Sequence, residues 1–149
     1  MPHRGRIVVG VDGSPISKAA LRWAVNHAGL TGATVDAVIA WQIPESMTGH
    51  AWAALLVEEP GFGVLAEKEL ADAISEVAGP DPDVAINPAV VQGWPAEVLL
   101  EASEGADLLV VGSRGRGGFT SALLGSVSQN CVHHATCPVL IIRAAKEHH

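Results

Sequence analysis

The chain has 149 residues, 48% of them hydrophobic, and a mean hydropathy of +0.29, enough to bury one substantial core but too little for two ordinary domains. Its formal charge of −7 argues against polymeric nucleic acid as a partner, because that binding draws its affinity from Lys and Arg neutralising many phosphates. The acidic balance is uneven: from Leu108 to Lys146 there is no Asp or Glu, while Arg114, Arg116, Arg143 and Lys146 all fall there. A basic island in an acidic protein suits a small anion held at one site, although a buried strand and helix produce the same bias.

The first apolar run, Ile7 to Val11, follows Arg4 and Arg6 and is too short for the core of a signal peptide. No run approaches the length that spans a bilayer, so a soluble cytoplasmic protein with no membrane partner is expected. This run reads as a strand. Asp12-Gly13-Ser14-Pro15 then supplies capping residues ahead of a proline at a first helical turn, and Leu21, Val25 and Ala28 keep core-facing spacing up to Gly29 and Gly32.

Val35 to Trp41 reads as the second strand. Gln42 to Gly61 has no clear period, and connections of that length are uncommon unless functional, so a partly disordered excursion is expected, with a short helical piece around Ala51 to Val57. A second helix is predicted from Phe62 to Ala78, with Ala66, Leu70, Ile74 and Val77 on one face and Gly79-Pro80 as its stop.

Val84 to Val91 is the third strand, and Pro88 within it places it at an edge, because proline cannot donate to a ladder. Trp94-Pro95 opens a short helix through Ser103, closed by Gly105. Leu108 to Val111 is a continuous apolar run suited to a central strand buried on both faces. A last helix, roughly Ser121 to His134, leads through Pro138 to a final strand, Val139 to Ile142.

Short β-branched runs alternating with amphipathic segments describe a doubly wound α/β domain, Rossmann-like or flavodoxin-like, with a five-stranded parallel sheet in three layers. In the order 3-2-1-4-5 the winding reverses between the first and fourth strands, where such sheets bind ligands at their carboxyl ends. The turns there are Gly10 to Ser14 and Gly112 to Ser126, the two richest in glycine and hydroxyl groups.

After the fourth strand, four of the seven residues from Gly112 to Gly118 are glycine. Glycines let successive N–H groups turn inward as an anion nest. Gly125-Ser126-Val127-Ser128 lies near a helix start, where unpaired N–H groups and the dipole favour a phosphate and two hydroxyls can donate. The alternative is a glycine-rich surface turn with no ligand. There is no G-x-x-x-x-G-K-[ST] and no G-x-G-x-x-G after the first strand, which excludes a P-loop and a dinucleotide fingerprint. A nucleophile elbow also fails, because Val111 stands where its first glycine belongs before Ser113.

The spacing Gly112-x-x-Gly115, nine residues, then Gly125-Ser126 resembles the G-2x-G-9x-G-[S/T] signature of the ATP-binding branch of the universal stress protein family. Ile7 to Leu21 (IVVGVDGSPISKAAL) is similar to that family's opening strand and turn, and Cys137 to Arg143 (CPVLIIR) to its closing strand, so the resemblance covers almost the whole chain.

The resemblance implies a site. Asp12 matches the acidic residue that meets the ribose or phosphates, with Gly10 and Val11 along the same wall. Ala40 and Trp41 match the place where the adenine packs. Val111 and Gly112 would flank the ribose, and Arg114, Gly115, Gly125, Ser126, Val127 and Ser128 match phosphate-holding positions. Each has a plainer reading: Asp12 as a helix cap, worth about 1 kcal/mol, Trp41 as core, Arg114 and Arg116 as solvated charges.

ATP is therefore the expected ligand, with ADP, AMP or cyclic AMP as alternatives and Mg²⁺ held through the phosphates. No catalytic base stands out beside the loop, so a nucleotide-dependent stress or signalling regulator is favoured. A slow ATPase and a nucleotide-free interaction module are the alternatives. A homodimer through Val139 to Ile142 is expected, since that apolar edge carries no proline or charge and the resemblance implies the same pairing.

Cys131 and Cys137 lack the spacing of a redox or zinc motif and read as reduced structural thiols. His133 and His134 are adjacent, point about 100° apart on a helix and cannot form an i, i+4 metal pair, so one is expected to face the core or a dimer interface and the other water. Residues 1–147 are expected to form the single domain, and His148 and His149, which follow no predicted element, resemble a tag remnant and enter no metal argument.

Overall fold

The computed structural model describes residues 5–43, 61–114 and 124–143. The β-branched run Arg6–Gly10 forms β1, and Pro15–Thr31 forms α1, capped by Ser14, whose side chain accepts from the Ser17 N–H. Thr34–Trp41 is β2, Phe62–Ala78 is α2 and Ile86–Gln92 is β3. Pro95–Ala102 is α3, Leu108–Gly112 is β4, Ser126–His134 is α4 and Val139–Ile142 is β5. Gly32 (φ 79°) and Gly79 (φ 77°) end α1 and α2 in backbone conformations that side-chain-bearing residues rarely adopt.

The five strands form one parallel sheet in the order β3-β2-β1-β4-β5, as the alternation of runs predicts. Pro88 sits on the edge strand β3, opposite Ala37, where its missing N–H costs no ladder bond on the open side. Alternation along the strands divides the core in two. Ile7, Val9, Val35, Ala37, Ile39 and Val110 pack under α1 and α2, while Val8, Val38, Leu109 and Val111 pack with Val98, Leu99 and Cys131 of α3 and α4 on the other face. Leu109 and Val110 are fully buried, which explains why β4 reads as a continuous apolar run.

The last helix begins later than its pattern suggests. It starts at Ser126, not near Ser121, because Gly125 is extended (φ −76°, ψ 172°) and its N–H is bonded to the Ser113 carbonyl at 2.6 Å. The third strand begins at Ile86 rather than Val84. His133 and His134 are both exposed, so neither faces this chain's core. The helical piece expected at 51–57, with Gly115, Arg116 and 148–149, lies outside the described residues.

Candidate functional site

Parallel strands joined by right-handed crossovers bring every helix N-terminus to the carboxyl end of the sheet, and at the reversal between β1 and β4 two of these, α1 and α4, stand beside one another. The β1 turn is held by its own side chains. Val11 donates to the Val38 carbonyl at 2.8 Å, carrying the ladder one residue past β1. An Asp12 Oδ1 accepts from both the Ser14 N–H, at 2.9 Å, and the Ser14 hydroxyl. The buried Ser17 hydroxyl accepts from the Asp12 N–H at 3.2 Å and donates to the Ser14 carbonyl at 3.0 Å. Asp12 is thus not the cap of α1; it shapes the turn, and Ser14 caps the helix.

The β4 turn is closed at its neck. Ser113 donates to the Ile142 carbonyl at 2.7 Å, and its own carbonyl accepts from the Gly125 N–H and, at 2.9 Å, from the Ser128 hydroxyl. Ser128 is buried and its hydroxyl also lies 3.0 Å from the Gly125 carbonyl, so this hydroxyl is spent inside the protein rather than offered to a ligand. Ser126 is exposed, and Val127 packs against the α3–α4 core. Gly125 has no side chain with which to cap α4, and the first intrahelical bond runs from the Gln129 N–H to the Gly125 carbonyl. The N–H groups of Ser126, Val127 and Ser128 therefore have no acceptor within the helix.

The glycines at the two strand ends serve a packing purpose that sequence reasoning missed. A Cβ on Gly10 would lie 2.8 Å from Leu99 Cδ1 of α3, and one on Gly112 would lie 3.0 Å from Ile16 Cγ2 of α1. The missing side chains let α3 and α1 close over β1 and β4 from opposite faces. Gly112 against Ile16 also joins the two turns, so Gly10, Val11 and Asp12 are brought together with Val111, Gly112, Arg114 and Gly125 to Ser128. Arg114 is half-buried at the neck.

Ala40 and Trp41 stand one strand away, at the end of β2. The Trp41 indole packs on the α1–α2 core and against Gly63, where a Cβ would come within 3.0 Å of the ring, and the Trp41 carbonyl accepts from Gly93 at 2.8 Å. The ring is thus partly buried against that core. On the buried face of α4, burial and the neighbouring Cys137 push the Cys131 thiol up to about 11. Among the described residues no group of three or more His, Cys, Asp or Glu could hold a metal ion, and no helix is long and apolar enough to cross a membrane.

Residues 3–143 match the model of the universal stress protein family. The chain belongs to the universal stress protein family. It is 38% identical over 147 residues to a universal stress protein of Mycobacterium tuberculosis, covering 95% of this chain and 46% of that one. A universal stress protein of Mycolicibacterium smegmatis is 39% identical over 144 residues, covering 92% and 45%. This universal stress protein chain thus spans about half the length of the curated relatives it matches. Among solved structures, the universal stress protein UspA of Lactobacillus plantarum shares the fold at a TM-score of 0.75 and 23% identity, over 95% of this chain and all of that one. A universal stress protein in complex with cyclic AMP superimposes at 0.62 with 28% identity, over 93% and 95%. An Arabidopsis thaliana family protein with AMP bound does so at 0.57 with 21% identity, over 95% and 92%.

Proposed function

We propose that this universal stress protein binds an adenine nucleotide between the ends of β1 and β4 and acts as a nucleotide-dependent stress or signalling regulator in the cytoplasm. The observation that carries the reading is the neck at Ser113. Two donors from the start of α4 close on one carbonyl, which holds an uncapped helix N-terminus beside the Asp12 turn. Unpaired N–H groups and the helix dipole there favour phosphate oxygens. The spacing Gly112-x-x-Gly115-(nine residues)-Gly125-Ser126 supports ATP as the ligand, and relatives of this fold with cyclic AMP and AMP support the adenine class.

In this reading Gly10, Val11 and Asp12 line one wall, Val111 and Gly112 flank the ribose, and Ala40 and the Trp41 backbone approach the base. Arg114, Gly115, Gly125, Ser126 and the Val127 N–H meet the phosphates, while Ser128 holds the helix start in place. Mg²⁺ accompanying the nucleotide draws its ligands from phosphates and water. Calorimetric titration with ATP, ADP, AMP and cyclic AMP tests the assignment. Binding to the native chain that is lost on replacing Gly115 and Gly125 together by Val supports it, and a native chain that binds none of the four overturns it.

We further propose a homodimer through β5. That strand closes the sheet opposite β3, and Val139 to Ile142 are all half-exposed and uncharged, an edge that invites pairing. Sedimentation at micromolar concentration should give twice the chain mass, with Ile141→Lys giving monomers.

A further inference from the structure

We infer that Trp94 forms a wall of the base subsite and stacks on the adenine, an assignment that rests on the nucleotide reading above. Trp94 breaks two local rules at once. It occupies the N-cap of α3, where Ser, Thr, Asp and Asn are favoured, and its side chain makes no capping bond. It is also 57% exposed, so its large apolar surface contributes little to the core. A position that gives up both a cap and burial is where a functional constraint is expected.

The backbone around Trp94 places it on the rim of the site. Gly93 donates to the Trp41 carbonyl at 2.8 Å, so Trp94 is one residue from a bond to the end of β2, beside Ala40 and Trp41. Pro95 follows at the first helical position, with its φ preset for the helix. From there α3 descends over the sheet, with Val98 against Gly93 and Leu99 against Gly10 at the end of β1. Five residues of helix rise about 7.5 Å, which leaves Trp94 standing above the carboxyl ends of β1 and β2. The Trp41 ring is packed against Gly63 on the opposite face, so among the described residues the exposed indole at this rim is that of Trp94. A flat, electron-rich ring there fits the face of a purine, and stacking needs no hydrogen-bond donor or acceptor from it.

Titrating ATP, AMP and cyclic AMP into the native chain, Trp94→Phe and Trp94→Ala by calorimetry tests the assignment. For whichever nucleotide the native chain binds, Trp94→Ala should weaken affinity at least fivefold and Trp94→Phe less than threefold. The bound nucleotide should also protect the native chain's fluorescence from acrylamide more than it protects that of Trp94→Phe. Because Trp94 is exposed, both variants should keep the native circular dichroism and melting temperature. Equal affinity in Trp94→Ala, or equal loss in both variants, overturns the stacking role while leaving the nucleotide reading intact. A native chain that binds none of the three removes the nucleotide reading itself.

Discussion

The hydroxyl of Ser128 donates to the carbonyl of Ser113, fifteen positions earlier, at 2.9 Å, and so ties the first turn of α4 to the end of β4. Ser113 keeps a second partner in the Gly125 N–H, so Ser128→Ala leaves no orphaned carbonyl, and the expected loss is that of one net hydrogen bond, about 1 kcal/mol. Nucleotide affinity should fall with it, as the helix start loosens. The exposed Ser126 offers the contrast: Ser126→Ala should change stability by less than about 0.5 kcal/mol. Under the proposed function, its effect should fall on nucleotide binding alone. Denaturant melts beside calorimetric titrations separate the two.

Gly10 and Leu99 should behave as a coupled pair. A methyl at position 10 meets both δ-carbons of Leu99, at 2.8 and 3.2 Å, and Leu99 is buried with little room to withdraw. Gly10→Ala is expected to cost about 1–3 kcal/mol through overpacking. In a double-mutant cycle with Leu99→Ala, part of that cost should vanish, giving a coupling of at least about 0.5 kcal/mol. Additive effects would mean that the strand end, not the helix, absorbs the methyl.

Arg6 should matter more than the ion pair it makes. Its guanidinium donates to Asp36 Oδ2 at 3.0 Å, to the Ala102 carbonyl at 3.0 Å and to the Glu104 carbonyl at 2.7 Å, joining β1 to β2 and to the end of α3. Asp36 also accepts from Asn87 of β3. The ion pair is partly exposed, and such pairs are worth at most about 1 kcal/mol. Bonds from a charged donor to helix-end carbonyls add about 1.5–3 kcal/mol. Arg6→Ala should therefore destabilise more than Asp36→Asn, and Arg6→Lys should recover only part, since one ammonium cannot reproduce the planar fork. Urea melts at low and high salt check this, with little salt dependence expected.

Cys131 sets a pH dependence. Its thiol is fully buried, and burial, with Cys137 nearby, raises it from 9.0 to about 11. The neutral thiol is the form the fold favours, so its contribution is complete below pH 9 and is lost as pH rises towards 11. Relative to Cys131→Ala, the native chain should lose stability faster across that window. At pH 8 a maleimide should label the half-exposed Cys137 well before Cys131, as peptide mass mapping would show.

Most of the architecture was legible in local pattern. β-branched runs at period two, a helix at Phe62 to Ala78 stopped by Gly79, and a proline that confines β3 to an edge each depend on neighbours within a few residues, and each appears as read. The two glycine-rich turns also fell at the reversal point, since β1 and β4 lie side by side in the sheet. The pairing of Asp36, a charge inside an apolar strand run, with Arg6 was not read from the sequence.

Partners far apart in sequence were decided only by the folded chain. Gly10 read as the start of a ligand-binding turn and part of its wall, yet its missing side chain admits Leu99, 89 positions later. Ser128 read as a phosphate donor, but Ser113 takes its hydroxyl, and the start of α4 moved to Ser126 because Gly125 is held to that same carbonyl. Propensity and periodicity report the chain's local choices. Which donor meets which acceptor, and which surface needs a hole, is set by layers packing against each other, and a one-dimensional pattern carries no record of that distance.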